Sequence, residues 1–446
     1  MAVLVASAAS CTPKGSSRKS PGGRASALGG PDTQVVVAGV LTWKDPRLSS
    51  FEPRHRKDQE LYDVLVGERQ VPRKNARLLL DARASRAAIL AALREAAAEA
   101  TPSTTLVFYY AGHGVHGDGG RVSFASADID ARASSATGLG MDDLQGALGA
   151  LPRGARVLLL ADCCFSGALR QVAIGLGSKG IPAASLTSAE ASNSSTQNWT
   201  FTQAVIDALR GDSLADRDAD GRVVLEELAS EVRDAMKFRE RQRSGFANHG
   251  LDLHMVVSPA ARGAVFGAFV PPGLRQGDYL SVKVDGQEEP GRVRSAAPGK
   301  VTTRLYRYTD SVDIQPAMAS LSPIRFKTYP VGSRLSVTWE NRPYEARVTA
   351  VDGDFQLITY PGYASYWDEW ILSDRILAEI PGGAPAPAEA PGPTAWSKGD
   401  RILVEWGGKW WPAVVQERQD NRYFIHYDNY ESSWDEWVES SRTRPR

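Results

Sequence analysis

Leu106-Val107-Phe108-Tyr109-Tyr110-Ala111-Gly112-His113-Gly114 and Val157-Leu158-Leu159-Leu160-Ala161-Asp162-Cys163-Cys164-Phe165-Ser166-Gly167 decide the reading of this chain. Each is a continuous apolar run without alternation, the signature of a parallel strand covered on both faces. Each ends abruptly in a reactive side chain beside glycine. Sites in open parallel sheets form just beyond the carboxyl ends of the strands, so His113 and Cys164 are expected to meet there. A thiol needs a base to supply thiolate near neutral pH, and imidazole is the usual one.

Around these strands the text alternates. A strand is predicted over 35–41, helices over 58–66, 85–100 and 141–150, a further strand over 184–186, and helices over 201–210 and 226–239. This alternation argues for an α/β fold with a mostly parallel sheet flanked by helices. Beyond about residue 271 the pattern changes to short strands, Gly-Asp turns and many aromatics. Arg334-Leu335-Ser336-Val337-Thr338-Trp339 matches Arg401-Ile402-Leu403-Val404-Glu405-Trp406 at an offset of 67. The same offset carries Tyr344 onto Trp411, Tyr360 onto Tyr427, Tyr363 onto Tyr430 and Trp367 onto Trp434. A weaker copy, Asp278-Tyr279-Leu280-Ser281-Val282-Lys283-Val284, lies 55 residues before its counterpart. Such self-similarity marks repeated modules. The predicted organisation is a leader over 1–32, an α/β domain over 33–262, and β modules over 272–325, 330–380 and 397–443. A Pro/Ala-rich linker over 381–396 separates the last two modules.

The whole chain sets bounds. Its 446 residues suggest two to four domains at about 150 residues each. Lys plus Arg equals Asp plus Glu at 52 each, so no global field draws it to nucleic acid or anionic membrane. The three cysteines, Cys11, Cys163 and Cys164, imply no disulfide framework, and no apolar run reaches the roughly 18 residues of a membrane span. The short apolar start, Cys11 after Ala8-Ala9-Ser10 and the polar tether to Pro31 resemble the end of a bacterial lipoprotein signal. The basic n-region of such a signal is absent, and a cytoplasmic protein with a disordered leader is the expected reading. An envelope lipoprotein held through Cys11 is the alternative.

The YYAGHG segment at 109–114 and the DCCFSG segment at 162–167 resemble those of the caspase-like cysteine peptidases of clan CD, family C14. The resemblance is to the metacaspase-like and bacterial caspase-domain branch, and it extends over about 33–261, including Phe201-Thr202. The separation of 51 residues from His113 to Cys164, histidine first, agrees with the roughly 50 residues of caspases. The resemblance implies that Cys164 is the nucleophile and that Cys163 packs as a small hydrophobe. It implies that His113 acts as base or as proton donor to the leaving amine, and that the backbone N–H groups of Gly114 and Cys164 form the oxyanion hole. Asp162, with Asp58 from the first helix, would line the pocket for the P1 side chain, and two carboxylates there favour Arg or Lys. Arg170 and Lys179 are candidate self-cleavage points. The alternative is a proteolytically inactive scaffold of the same fold, against which both intact motifs weigh.

Asp216, Asp218, Asp220, Gly221 and Glu227 fit the EF-hand loop D-x-D-x-D-G-x5-E position for position. No cofactor is required for cysteine–histidine chemistry, and Ca²⁺ is the metal this loop would suit; a solvated, Asx-rich turn is the alternative. Calcium activates many metacaspases through a different acidic loop, which is sparse here (Asp118, Asp128, Asp130). The aromatic repeats resemble chromo-barrel, Tudor-knot and related SH3-like barrels, whose rings receive a methylated lysine, a peptide or nucleic acid, with cation–π attraction for cationic ligands. The matching residues are Trp339, Tyr344, Tyr360, Tyr363 and Trp367 in the middle copy and Trp406, Trp411, Tyr427, Tyr430 and Trp434 in the last. About half of these rings are expected to be core, because a module of about 50 residues needs large side chains to be stable. Asp428, Glu431, Asp435 and Glu436 oppose a nucleic-acid ligand. The expected partners are therefore a protein substrate and a peptide or modified-lysine ligand of the barrels.

Overall fold

Helices cover both faces of the first sheet, which is why its strands carry no polar alternation. The computed structural model describes residues 27–52, 55–117, 121–190, 198–260, 274, 276–297, 300–307, 311–339, 341–363, 367–381, 396–406, 409–419, 422–428, 435–439 and 443–445. Cys11 and Asp118 lie outside the described residues. The α/β part runs β1 (Thr33–Gly39), α1 (Lys57–Gly67), β2 (Ala76–Leu80), α2 (Arg86–Ala98), β3 (Thr105–Ala111), β4 (Gly114–His116), β5 (Val122–Phe124), α3 (Ser134–Thr137), β6 (Leu139–Gly140) and α4 (Met141–Leu148). It continues through β7 (Arg156–Asp162), α5 (Leu169–Ser178), β8 (Ala183–Thr187), α6 (Thr200–Leu209), β9 (Arg222–Val224), α7 (Leu225–Glu240), β10 (Gly245–His249) and β11 (Val256–Pro259). The main sheet has the order β10-β8-β7-β3-β1-β2, parallel except for β10.

Strand alternation sorts its side chains between two cores. Phe108, Tyr110, Leu159, Ala161 and Cys163 pack with α2, α4 and α5, whereas Val107, Tyr109, Leu158 and Leu160 pack with α1, α6 and α7. All seven residues of β3 are buried. At about 1.5–3 kcal/mol for each large apolar side chain removed from water, the carboxyl end of this strand is firmly fixed.

Three five-stranded antiparallel sheets follow over 279–323, 334–379 and 401–445, each with its strands in the order 4-3-2-1-5. Each carries a β-bulge at the equivalent place in its second strand, between Val293 and Ser295, Val348 and Ala350, and Val415 and Glu417. The bulges recur at the 55- and 67-residue offsets of the sequence repeat and bend each sheet toward closure. All three sheets thus have the same SH3-like construction.

The first of these modules lacks most of the aromatics, and what it does instead is pack on α7. Arg292 is 2 % exposed; its guanidinium pairs with Glu231 and donates to the Leu214 and Gly277 carbonyls at 3.0 and 3.2 Å. Tyr279 stacks on Phe238 with ring centroids 4.8 Å apart. The middle module grips the end of the same helix through Lys237–Asp354, Arg241–Asp374 and Arg243–Asp352. Removing one partner of a buried pair leaves an uncompensated charge, which costs about 3–5 kcal/mol. Arg292→Ala is therefore expected to lower stability by about that amount in urea unfolding. The double change Arg292→Met with Glu231→Met should restore most of the loss, and a single variant as stable as wild type would contradict the pairing.

Candidate active site

β3 and β7 pair with Ala111 opposite Asp162. The 51-residue offset of the two motifs is therefore the register of the strand pair, and His113 and Cys164 each stand two residues beyond its end. Gly114 lies directly against Cys164: a Cβ there would fall 1.7 Å from the Cys164 carbonyl oxygen, so only glycine permits this approach. Cys163 continues the alternation of Leu159 and Ala161 into the α2–α4–α5 core and is 2 % exposed. Burial, reinforced by Cys164 and Asp162, pushes its thiol pKa well up. Cys164 is half-buried. Phe165 follows in the left-handed region (φ 56°), a strained conformation for a bulky residue, with its ring 4.1 Å from that of His116.

His113 is held between two rings, Trp43 at 4.5 Å and Phe51 at 4.4 Å between centroids. Its Nε2 lies 2.8 Å from the Ser49 carbonyl oxygen. A carbonyl only accepts, so Nε2 carries the proton and Nδ1 keeps the lone pair. Burial lowers the His113 pKa against the opposing effect of the Ser49 carbonyl, which keeps the ring neutral near pH 7. Trp43 is itself fixed by its indole N–H to the Ala125 carbonyl at 2.9 Å. Sequence reasoning missed Trp43, Ser49 and Phe51. They sit in an irregular connection, and the only signal was a pair of aromatics between β1 and α1.

Asp162 points to the opposite face from Cys163. Its carboxylate accepts from the Thr202 hydroxyl at 2.6 Å and the Thr202 N–H at 3.3 Å, and the Tyr109 hydroxyl lies 2.6 Å from the same Thr202 oxygen. With the threonine proton on Asp162, Tyr109 donates to Thr202. Burial raises the Asp162 pKa to about 7 despite the hydrogen bonds from Thr202 and Ser188. Asp58, at the start of α1, is fully buried, and the Arg56 guanidinium reaches it through Nε at 3.1 Å and Nη2 at 2.7 Å. Both carboxylates help to raise the Tyr109 pKa, after burial, the largest cause. Arg170 lies inside α5 and Lys179 caps it, so cleavage at either requires that helix to unwind.

Of the four candidate metal ligands, Asp216, Asp218 and Glu227 offer oxygens within 4.8 Å of one another. Asp220 does not join them: it pairs with Arg222 at 2.6 Å, because the side chain two residues on reaches back over it. Gly221 takes the left-handed turn (φ 88°) that the loop requires. Asp216 accepts the N–H groups of Asp220 and Gly221 at 3.1 and 3.0 Å, and Glu227 those of Arg217 and Val224 at 2.7 and 3.0 Å. Burial raises the Glu227 pKa. Three converging carboxylates suit a hard divalent cation that takes its remaining oxygens from carbonyls and water.

The aromatic candidates divide. Tyr360 and Tyr427 are buried, and their hydroxyls donate to Glu369 and Glu436, each at 2.8 Å. The matching partners at the repeat offset make these two tyrosines part of the barrel frame, which corrects their reading as ligand walls. Trp339 already faces a cation: the Arg375 guanidinium lies 5.2 Å from its ring and pairs with Glu369 at 2.6 Å. Tyr344 is half-buried and meets Tyr363 edge-on at 6.2 Å. Tyr363 and Trp367 are 57 % and 42 % exposed, which leaves them as the accessible rings. In the last module Trp411 is half-buried against the core. Tyr430, Trp434 and the side chain of Trp406 lie outside the described residues.

Residues 60–173 match the family model described as the metacaspase, peptidase C14 domain. Residues 397–445 match the one described as Tudor-knot, RNA binding activity-knot of a chromodomain. No curated protein matches the chain. Similar solved structures include GSU0716 from Geobacter sulfurreducens, 15% identical, covering 52% of this chain and 100% of that one, with a TM-score of 0.39. Tbtudor is 21% identical over 12% of this chain and 97% of its own, with a TM-score of 0.11. The four MBT repeats of Drosophila melanogaster Sfmbt, in complex with a methyl-lysine peptide, are 12% identical over 39% of this chain and 64% of their own, with a TM-score of 0.13. Residues 60–173 thus have the character of a metacaspase-type peptidase C14 domain, and residues 397–445 that of a Tudor-knot module.

Proposed function

We propose that this protein is a cysteine endopeptidase that cleaves after Arg or Lys and that its Tudor-type modules recruit the substrate or a partner. The observation that carries the reading is the β3–β7 register, which sets His113 and Cys164 level beyond the sheet. Nδ1 of His113, unprotonated while Nε2 is tied to Ser49, takes the Cys164 thiol proton. The thiolate adds to the scissile carbonyl, whose oxygen gains negative charge beside the Gly114 and Cys164 N–H groups. His113 returns the proton to the leaving amine as the C–N bond breaks, and water hydrolyses the thioester. Asp162, on the opposite face of β7 from Cys163, supplies negative charge for a cationic P1 side chain. A panel of fluorogenic peptides differing only at P1 tests the reading: Arg and Lys peptides should exceed Leu and Asp peptides by about a hundredfold in kcat/KM, the worth of a desolvated charge pair. Equal turnover of all four would refute the basic preference.

We further propose Ca²⁺ as the ligand of Asp216, Asp218 and Glu227. Calcium should raise the melting temperature of the wild-type protein and leave that of Asp216→Asn unmoved; equal response of both would exclude this loop. For the barrels, the exposed Tyr363 and Trp367 favour a cationic or methylated peptide. RNA is the competing ligand, and the acidic stretch containing Asp428 and Asp435 disfavours it. Titration of the full chain with a methyl-lysine peptide and with single-stranded RNA decides between them.

A further inference from the structure

We infer that Arg56 is a specificity-determining residue: its guanidinium occupies the position on Asp58 that a basic P1 side chain would take, so substrate must compete with it. The inference rests on the basic-P1 reading above. Asp58 is fully buried, while the Arg56 side chain is 15 % exposed, so Arg56 stands between the carboxylate and solvent. The contact is a two-point fork, 3.1 Å to Oδ1 and 2.7 Å to Oδ2, the same geometry by which carboxylates recognise arginine in a ligand. One carboxylate cannot offer that fork to two guanidinium groups at once. The rest of the Arg56 head is also engaged: Nη1 pairs with Asp81, and Nη2 lies 3.1 Å from the Gly39 carbonyl oxygen at the end of β1. Gly39 is cut away to receive this cluster, since a Cβ there would fall 1.7 Å from Asp58 Oδ2. Burial disfavours the Arg56 charge, yet Asp58 and Asp81 hold its pKa above the ordinary value. Arg56 neutralises one of the two carboxylates around it, so the cluster stays anionic and still attracts a cation. The release point is local. Arg56 immediately precedes α1, and His55 before it sits in the left-handed region (φ 57°).

A pocket free only part of the time weakens apparent affinity by that fraction. If Arg56 vacates Asp58 about a tenth of the time, its removal should raise the ratio of kcat/KM for Arg over Leu peptides about tenfold. Arg56→Ala, and Arg56→Met, which keeps more of the packing, are both assayed with the two peptides. Agmatine, an arginine side-chain analogue, should raise the melting temperature of each variant more than that of the wild type. An unchanged or lowered Arg/Leu ratio in the folded variants, or equal agmatine shifts, would overturn the inference. Turnover of Leu but not Arg peptides by wild type and variants alike would remove the basic-P1 reading itself, and the inference with it.

Discussion

Cys164→Ala should abolish peptide hydrolysis, lowering kcat by about 10⁴-fold or more, whereas Cys163→Ala should leave the mechanism intact. The asymmetry between adjacent cysteines follows from strand alternation. Cys163 faces the α2–α4–α5 core with its pKa pushed up by burial, so its thiolate is suppressed and inaccessible. Cys164 is half-buried beside Gly114. Loss of the nucleophile removes the covalent route entirely, and a single member of such a unit costs nearly as much as the whole. Cys163→Ala has a different expected effect, a small loss of stability from a buried cavity. Alkylation with iodoacetamide followed by peptide mapping gives an independent readout: Cys164 should label in the native protein and Cys163 only after unfolding. Native labelling of Cys163 in preference to Cys164 would reverse the assignment, and full activity of Cys164→Ala would end the protease reading.

The second large effect is a pH dependence confined to basic substrates. In the free protein the Asp162 pKa is raised to about 7, with burial as the main cause. Below that value the carboxyl is protonated and offers no charge to an Arg or Lys side chain. KM for an Arg peptide should therefore rise about tenfold per pH unit below 7, while KM for a Leu peptide stays nearly flat. Binding of the cation favours the carboxylate, so the kcat profile should break at lower pH than the kcat/KM profile. Asp162→Asn should lower kcat/KM for Arg peptides about a hundredfold and erase the difference between the two pH profiles. The stability sign is opposite to that of a salt-bridged aspartate. A raised native pKa means that the folded state holds more protons than the unfolded one between about pH 4 and 7, so stability falls with pH across that window. Asp162→Asn should accordingly be relatively more stable at pH 8 than at pH 4. Parallel profiles for Arg and Leu peptides would remove Asp162 from substrate binding.

Much of the architecture was legible because it depends on periodicity. The unbroken apolar runs before His113 and Cys164 read as strands covered on both faces and form β3 and β7, and the 55- and 67-residue repeats return as identical strand orders with matching bulges. Elements carried by few residues were not legible. The small sheet β4-β5-β6 rests on pairings of two and three residues, too short for any period to show. Asp220 was grouped with its neighbours by spacing, but its competition with Arg222 is a side-chain event that spacing does not encode. Tyr360 and Tyr427 fitted an aromatic pattern, but a buried hydroxyl needs an acceptor, and Glu369 and Glu436 claimed them for the frame.

The sequence by itself determined that His113 and Cys164 each stand two residues beyond a pair of adjacent strands, since a parallel register is a constant offset along the chain and 51 is that offset. It also separated Cys163 from Cys164, because alternation in a strand follows from covalent geometry. Only the tertiary structure decided what surrounds them. The Trp43–Phe51 clamp and the Ser49 carbonyl that sets the His113 tautomer come from an irregular connection. The Thr202 hydroxyl on Asp162 comes from 40 residues away, and the Arg56 fork on Asp58 from a turn at the helix start. These are contacts between side chains with no fixed sequence separation, chosen by packing and by the need of buried charges for partners, so no local pattern carries them.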